Sequence, residues 1–213
     1  MKKFLLNIIV LGGLFLIGCS QEDSSVIGPT TQNNSILEKP NWLKAAEAQG
    51  VKILSLPPST EKSLDKRTEV TKYVYFNRAS NLSIYDSYKS NNHFVVIIAN
   101  LTILPYSLEK STWITMGFAS DYLVTNVTLG PVDMNFGPDG ITFKKPALFN
   151  LVAYGLDLTG WSEGDNLQLA CFNENTQLWE AVPSQKIMFN VKTGFLQCVN
   201  GQLSHFSRYG FIK

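Results

Sequence analysis

From residue 69 to the C-terminus, short apolar runs alternate with turn residues about every eight to twelve positions. The runs fall at residues 73–76, 82–85, 94–98, 113–116, 132–136, 141–143, 147–154, 167–172, 178–182, 186–191 and 195–199. A final one spans 203–211. Turn chemistry lies between them, in Asn91-Asn92, Gly137-Pro138-Asp139-Gly140, Asn173-Glu174-Asn175 and Thr193-Gly194. Within the runs the period is two. Ala147, Phe149, Leu151 and Ala153 share one side of their strand, as Leu167, Leu169 and Cys171 share one side of theirs. No long helical pattern interrupts the region, which excludes a parallel sheet built on crossover helices. The expected fold is all-β, an antiparallel β-sandwich over residues 69–213.

Composition agrees. Of 213 residues, 45% are hydrophobic and 12% aromatic, enough for one domain with extensions. The formal charge of +1 leaves no electrostatic footprint for nucleic acid.

The first residues read as an address. Lys2 and Lys3 precede an apolar run at 4–17 that ends on the small residue Gly18. As a helix that run would reach only about 21 Å, short of a bilayer core of roughly 30 Å. Residues 1–18 are therefore expected to be a signal peptide. Leu16-Ile17-Gly18-Cys19 resembles the lipobox of bacterial lipoproteins. The resemblance implies cleavage before Cys19, acylation of Cys19 and a lipid bilayer as partner; two or more chains hold a protein firmly where one does not. Ser20 at the next position implies the outer membrane, and Glu22-Asp23 resembles acidic surface-export signals.

Residues 19–68 are expected to form a tether. Residues 20–34 are polar and aperiodic, with a Gly28-Pro29 turn. Residues 41–49 spell a two-turn helix, with Asn41 as N-cap and Gly50 as stop. Pro57-Pro58 breaks any continuation. A tether of about 50 flexible residues reaches roughly 40 Å.

Several segments, in order, resemble the ZU-five domain, the β-sandwich named after zonula occludens and the netrin receptor Unc-five. They are Ile103-Leu104-Pro105-Tyr106-Ser107-Leu108, then Thr112-Trp113-Ile114-Thr115-Met116, and Phe136-Gly137-Pro138-Asp139-Gly140-Ile141-Thr142-Phe143 followed by Lys145-Pro146-Ala147. Leu178-Trp179 and His205-Phe206-Ser207-Arg208-Tyr209 complete the series. The resemblance covers residues 95–213 and implies a sandwich closed by the strand at 203–211. Leu104 splits the family's Ile-Pro, and Gly201 lengthens the approach to His205, as a bulge would. Phe136 and Phe143 are expected to pack across a hairpin.

Some ZU-five relatives cut themselves within such a His-Phe-Ser motif. Carried over, Ser207 would attack the Phe206 carbonyl with His205 as base. The competing reading makes His205 a core residue on one face with Leu203, Tyr209 and Phe211. Gly160-Trp161-Ser162-Glu163-Gly164 spells G-x-S-x-G, but no strand-turn-helix surrounds Ser162, and the chain holds only His93 and His205 as histidine bases. Cys171 and Cys198 remain after Cys19 is acylated. They either pair in an oxidising envelope or stay as buried thiols, and the sequence leaves both open. No metal-ligand spacing and no cofactor motif is present.

The expected function is a non-enzymatic, membrane-tethered module at the bacterial envelope, with a protein or glycan partner. Self-processing at Phe206-Ser207 is the alternative and a hydrolase the third. Tyr85, Tyr88, Tyr106, Tyr122 and Trp161 lie in or near loops, where a rigid sandwich carries its binding groups.

Overall fold

The computed structural model describes residues 39–57, 69–90, 93–118, 130–131 and 134–213. Among these, all named strand pairs are antiparallel. A helix α1 (Asn41–Gln49) comes first, then β1 (Ser55–Leu56), β2 (Glu69–Val74), β3 (Ser80–Ser90), β4 (His93–Ile103), β5 (Thr112–Phe118) and β6 (Gly130–Pro131). They are followed by β7 (Met134–Gly137), β8 (Thr142–Tyr154), β9 (Gln168–Asn173), β10 (Leu178–Ala181), β11 (Lys186–Asn190), β12 (Phe195–His205) and β13 (Arg208–Ile212).

One sheet has six strands in the order β10-β9-β13-β7-β5-β2, and the other five in the order β11-β12-β8-β4-β3. The chain is thus the all-β sandwich that its period-two pattern predicts. The pattern sets the core directly. Ala147, Phe149, Leu151 and Ala153 of β8 are fully buried, with Val95, Ile97, Ala99 and Leu101 of β4 beside them. No helix among the described residues is long and apolar enough to cross a membrane.

Three expectations change in three dimensions. The segment 203–211 is not one strand. β12 ends at His205 in the five-stranded sheet, and β13 begins at Arg208 in the six-stranded sheet. His205-Phe206-Ser207 is therefore the corner where the chain crosses between layers. Gly137-Pro138-Asp139-Gly140 makes a similar crossing from β7 to β8, so it is an arch between sheets and not a hairpin. Phe136 and Phe143 accordingly lie on opposite layers, with Phe206 between them. Its ring stacks on Phe136 at 5.9 Å and meets Phe143 edge-on at 4.8 Å.

The third change is the start of the domain. Residues 39–57, expected to belong to the tether, are part of the folded unit. The helix covers residues 41–49 as its sequence predicts, though the N-cap position falls to Pro40 with no side-chain cap, not to Asn41. It ends at Gly50 in the left-handed region, φ 68°, where Gly50 N–H reaches Glu47 O and Val51 N–H reaches Ala46 O. Trp42, Ala45 and Ala46 pack on Ala170, Phe172, Trp179 and Ile212, the outer face of the six-stranded sheet. Trp179 Nε1–H donates to Trp42 O at 2.8 Å. This explains why β9 is buried on both faces.

The expected bulge near Gly201 is present. Cys198 faces Leu151 and Gly201 faces Phe149, so β12 carries one extra residue. Asn200 adopts φ 49° there, and its N–H donates to Asn150 Oδ1 at 3.0 Å.

Candidate functional site

The corner at His205-Phe206-Ser207 gathers the chemistry-bearing side chains. Register places Tyr209 of β13 opposite Cys171 of β9, and the bend brings His205 back over both. His205 Nε2 lies 3.9 Å from Cys171 Sγ, and His205 Nδ1 lies 3.4 Å from Phe206 O. Ser207 Oγ donates to Phe172 O at 3.1 Å, and Tyr209 Oη donates to His205 O at 2.7 Å. The serine proton thus points at a backbone carbonyl of β9, while the histidine nitrogens face a thiol and a carbonyl. Phe206 is buried at the centre of the aromatic cluster, and His205 is half-buried at its margin.

Cys171 was not singled out with this motif in the sequence. Only the pairing of β9 with β13 brings it there. Burial pushes its thiol up from the ordinary range, against hydrogen bonding with Ser207 and Tyr209. A protonated thiol is a poor nucleophile. Burial also raises the Tyr209 phenol. Cys198 lies on β12 in the other sheet, is buried, and has its thiol pushed up to about 12 by burial. Both cysteines are free thiols.

Ser162 sits in a loop between β8 and β9. Its N–H donates to Asp165 Oδ2 at 2.8 Å, and Asp165 N–H returns to Ser162 O at 2.9 Å. The G-x-S-x-G residues form a closed turn and not a nucleophile elbow, which needs a strand before it and a helix after it. Lys213 and the Ser162 N–H hold the Asp165 carboxyl below its usual range. Trp161, expected in a loop, is buried, with Lys52 Nζ at 5.1 Å and Lys213 Nζ at 4.9 Å from its ring. Tyr88 is buried as well and donates to Pro57 O at 2.9 Å. Tyr106 is exposed in the loop between β4 and β5, whereas Tyr85, expected in or near a loop, is exposed in the middle of β3 opposite Ile98. Cys19 and Tyr122 lie outside the described residues. Among the described residues no His, Cys, Asp and Glu cluster is placed to hold a metal ion.

Sequence reasoning missed a second feature, an aromatic patch at the edge of the six-stranded sheet. Tyr73 pairs with Trp113 across β2 and β5, on the solvent face, with ring centroids 5.4 Å apart. Tyr75 meets Tyr73 at 5.2 Å, and the Arg78 guanidinium lies 5.7 Å from the Tyr75 ring. Phe76 meets Tyr106 at 6.1 Å. These five rings are 38% to 61% exposed. Tyr106 holds φ at 62°, a left-handed conformation that disfavours a bulky residue. Its N–H donates to Phe76 O at 2.6 Å, which fixes the loop. The missed signal is that run 73–76 ends the edge strand β2 and run 113–116 lies on its neighbour β5, where one face of the sheet stays wet.

Comparison of the chain with protein-family models, curated proteins and solved structures finds no match in any of the three.

Proposed function

We propose that this chain is a bacterial envelope lipoprotein, anchored through acylated Cys19, whose ZU-five-like sandwich presents a non-enzymatic binding surface. The observation that carries the binding reading is the patch of Tyr73, Tyr75, Phe76, Tyr106 and Trp113. Isolated exposed aromatics are ordinary, but a contacting trio, Tyr73, Tyr75 and Trp113, next in the chain to a contacting pair, Phe76 and Tyr106, is not. Holding Tyr106 at positive φ costs on the order of 1–3 kcal/mol, and such strain gathers at functional sites. Large rigid rings and a nearby arginine are also the side chains that dominate binding energy at interfaces. The partner class that fits is protein. The lipoprotein part of the reading is supported by the lipobox-like Leu16-Ile17-Gly18-Cys19 after a short apolar run.

Two measurements test it. Cys19→Ser is expected to abolish incorporation of an alkyne-palmitate label and to release the chain from the membrane fraction; retained label sinks the anchor. For the patch, the soluble chain lacking residues 1–19 is titrated onto isolated envelopes. Tyr106→Ala with Trp113→Ala is expected to weaken binding at least about tenfold with an unchanged melting temperature. Equal binding by both chains sinks the surface.

A further inference from the structure

We propose that the outer face of the five-stranded sheet is an interface with a second copy of this chain, in a weak two-fold dimer. The outer face of the six-stranded sheet is partly covered by helix α1. Among the described residues nothing covers the outer face of the five-stranded sheet, and one end of it is apolar. Phe94 is 68% exposed, Tyr85 65%, Tyr154 48% and Ile98 43%, with Val96 and Val152 half-buried beside them. Phe195 packs against Tyr154 with ring centroids 5.2 Å apart. Contiguous apolar surface of this kind marks an interaction site. The aromatic patch lies on the other sheet, so this inference does not rest on it.

Register sets the face out in rows. Tyr85, Ile98, Val152, Gln197 and Met188 stand side by side across the five strands. In the next row are Ser87, Val96 and Tyr154, then Phe195 and its partner Asn190. Beyond that row Phe94 stands opposite Lys89. Two sheets pack face to face with their strands nearly aligned. A two-fold axis along the row of Val96 and Tyr154 then lays Phe94 of one copy on Ile98 of the other. It lays Lys89 over Tyr85, where an ammonium is attracted to the ring face. Ser87 and Asn190 lie on the axis row and meet their own counterparts, and a hydroxyl or an amide both donates and accepts. The hydrocarbon of a bilayer would offer them no partner, which favours a second copy over a lipid surface.

The charges permit this pairing. Lys89, Lys144 and Lys186 are the charged residues at outward positions of the five strands. Lys144 lies beyond the overlap of the two copies. The axis carries Lys186 towards the turn between β11 and β12 of the other copy. Beside that turn Glu163 accepts from Val191 N–H at 2.8 Å, and Asp157 lines the same end, so Lys192 is offset there. An isologous interface must suit itself, and an uncharged centre does so where a patch of one sign would not. Three rows on five strands make about 20 Å by 24 Å, roughly 500 Å² on each copy. A standard interface takes about 800 Å² from each partner, so this dimer is of the weak class.

The test is sedimentation velocity on the chain lacking residues 1–19, from about 5 µM to about 500 µM. The parent is expected to be monomeric at the lowest concentration and to move into dimer at the highest. Phe94→Glu alone and Ile98→Lys alone are each expected to keep the chain monomeric throughout. The two substitutions together set opposite charges across the axis and are expected to restore the dimer. All three variants are expected to melt within a few degrees of the parent at the lowest concentration, because both side chains face solvent there. A parent that stays monomeric at the highest concentration overturns the proposal. So does a dimer that persists in either single variant, or a double variant that stays monomeric. A parent that binds phosphatidylglycerol vesicles instead of itself, and loses that binding on Phe94→Glu, overturns it in favour of a lipid surface.

Discussion

At Phe206 three phenyl rings meet from both layers. Phe136 stacks on it nearly parallel, at 6°, and Phe143 stands almost perpendicular, at 89°. Tyr209 and Phe149 close the cluster around Phe136. Phe206→Ala is expected to lower unfolding stability by about 3–5 kcal/mol, read from urea denaturation. Phe206→Leu, which keeps much of the volume, is expected to lose less than half of that. The motif around it was legible as a motif, because His205-Phe206-Ser207 stands out by eye. Its job was not, because the same three letters fit a strand, a corner or a cleavage site. The hydrogen bond from Ser207 Oγ to Phe172 O directs the serine proton away from His205. The chain is therefore expected to keep its Phe206–Ser207 bond. Intact mass under denaturing conditions, in fresh and aged samples, checks this; loss of residues 207–213 would contradict it.

The elements differ in how much each one says alone. The length and glycine stop of helix α1 are readable, since they are local properties, whereas its N-cap falls to Pro40 and not to the expected Asn41. Its docking is not readable, because Trp42 and Trp179 are far apart in sequence and meet only once β9 and β10 pair. Trp179→Ala is expected to release the helix. Amides of residues 43–51 should lose hydrogen-exchange protection while those of β4 and β8 keep theirs. Equal loss across the sandwich would mean that helix and sheets unfold as one. Gly50→Ala meets no steric obstacle but must hold φ near 68°, which costs about 1–2 kcal/mol. The arch at Gly137-Pro138-Asp139-Gly140 has the opposite history. Its turn residues are plain in the sequence, and the layers that it joins are not.

Across the whole molecule, burial gives the sandwich a pH dependence on the alkaline side. Cys171, Cys198 and Tyr209 all have acid groups raised by burial. The folded chain therefore holds these protons more tightly than the unfolded chain. The stability they contribute is complete below the ordinary thiol value of 9.0 and is lost as pH rises towards about 12, where Cys198 ionises in the folded state. Urea midpoints are expected to be level from neutral pH to about 8.5 and to fall beyond it. Cys198→Ala is expected to flatten that fall, and an unchanged slope would remove Cys198 as its cause. The sequence by itself determined that the chain makes antiparallel strands, about where most of them lie, and which side of β8 faces inward. Those properties follow from period-two alternation and turn chemistry, which act over a few residues. Only the tertiary structure decided which sheet each strand joins, that the last run breaks at Phe206-Ser207, and that Cys171 lies beside His205. It also decided that Tyr88 and Trp161 are buried while Tyr73 and Trp113 are exposed. Those outcomes depend on pairings between distant segments, and a strand's own pattern carries the face it buries but not the neighbour it buries it against.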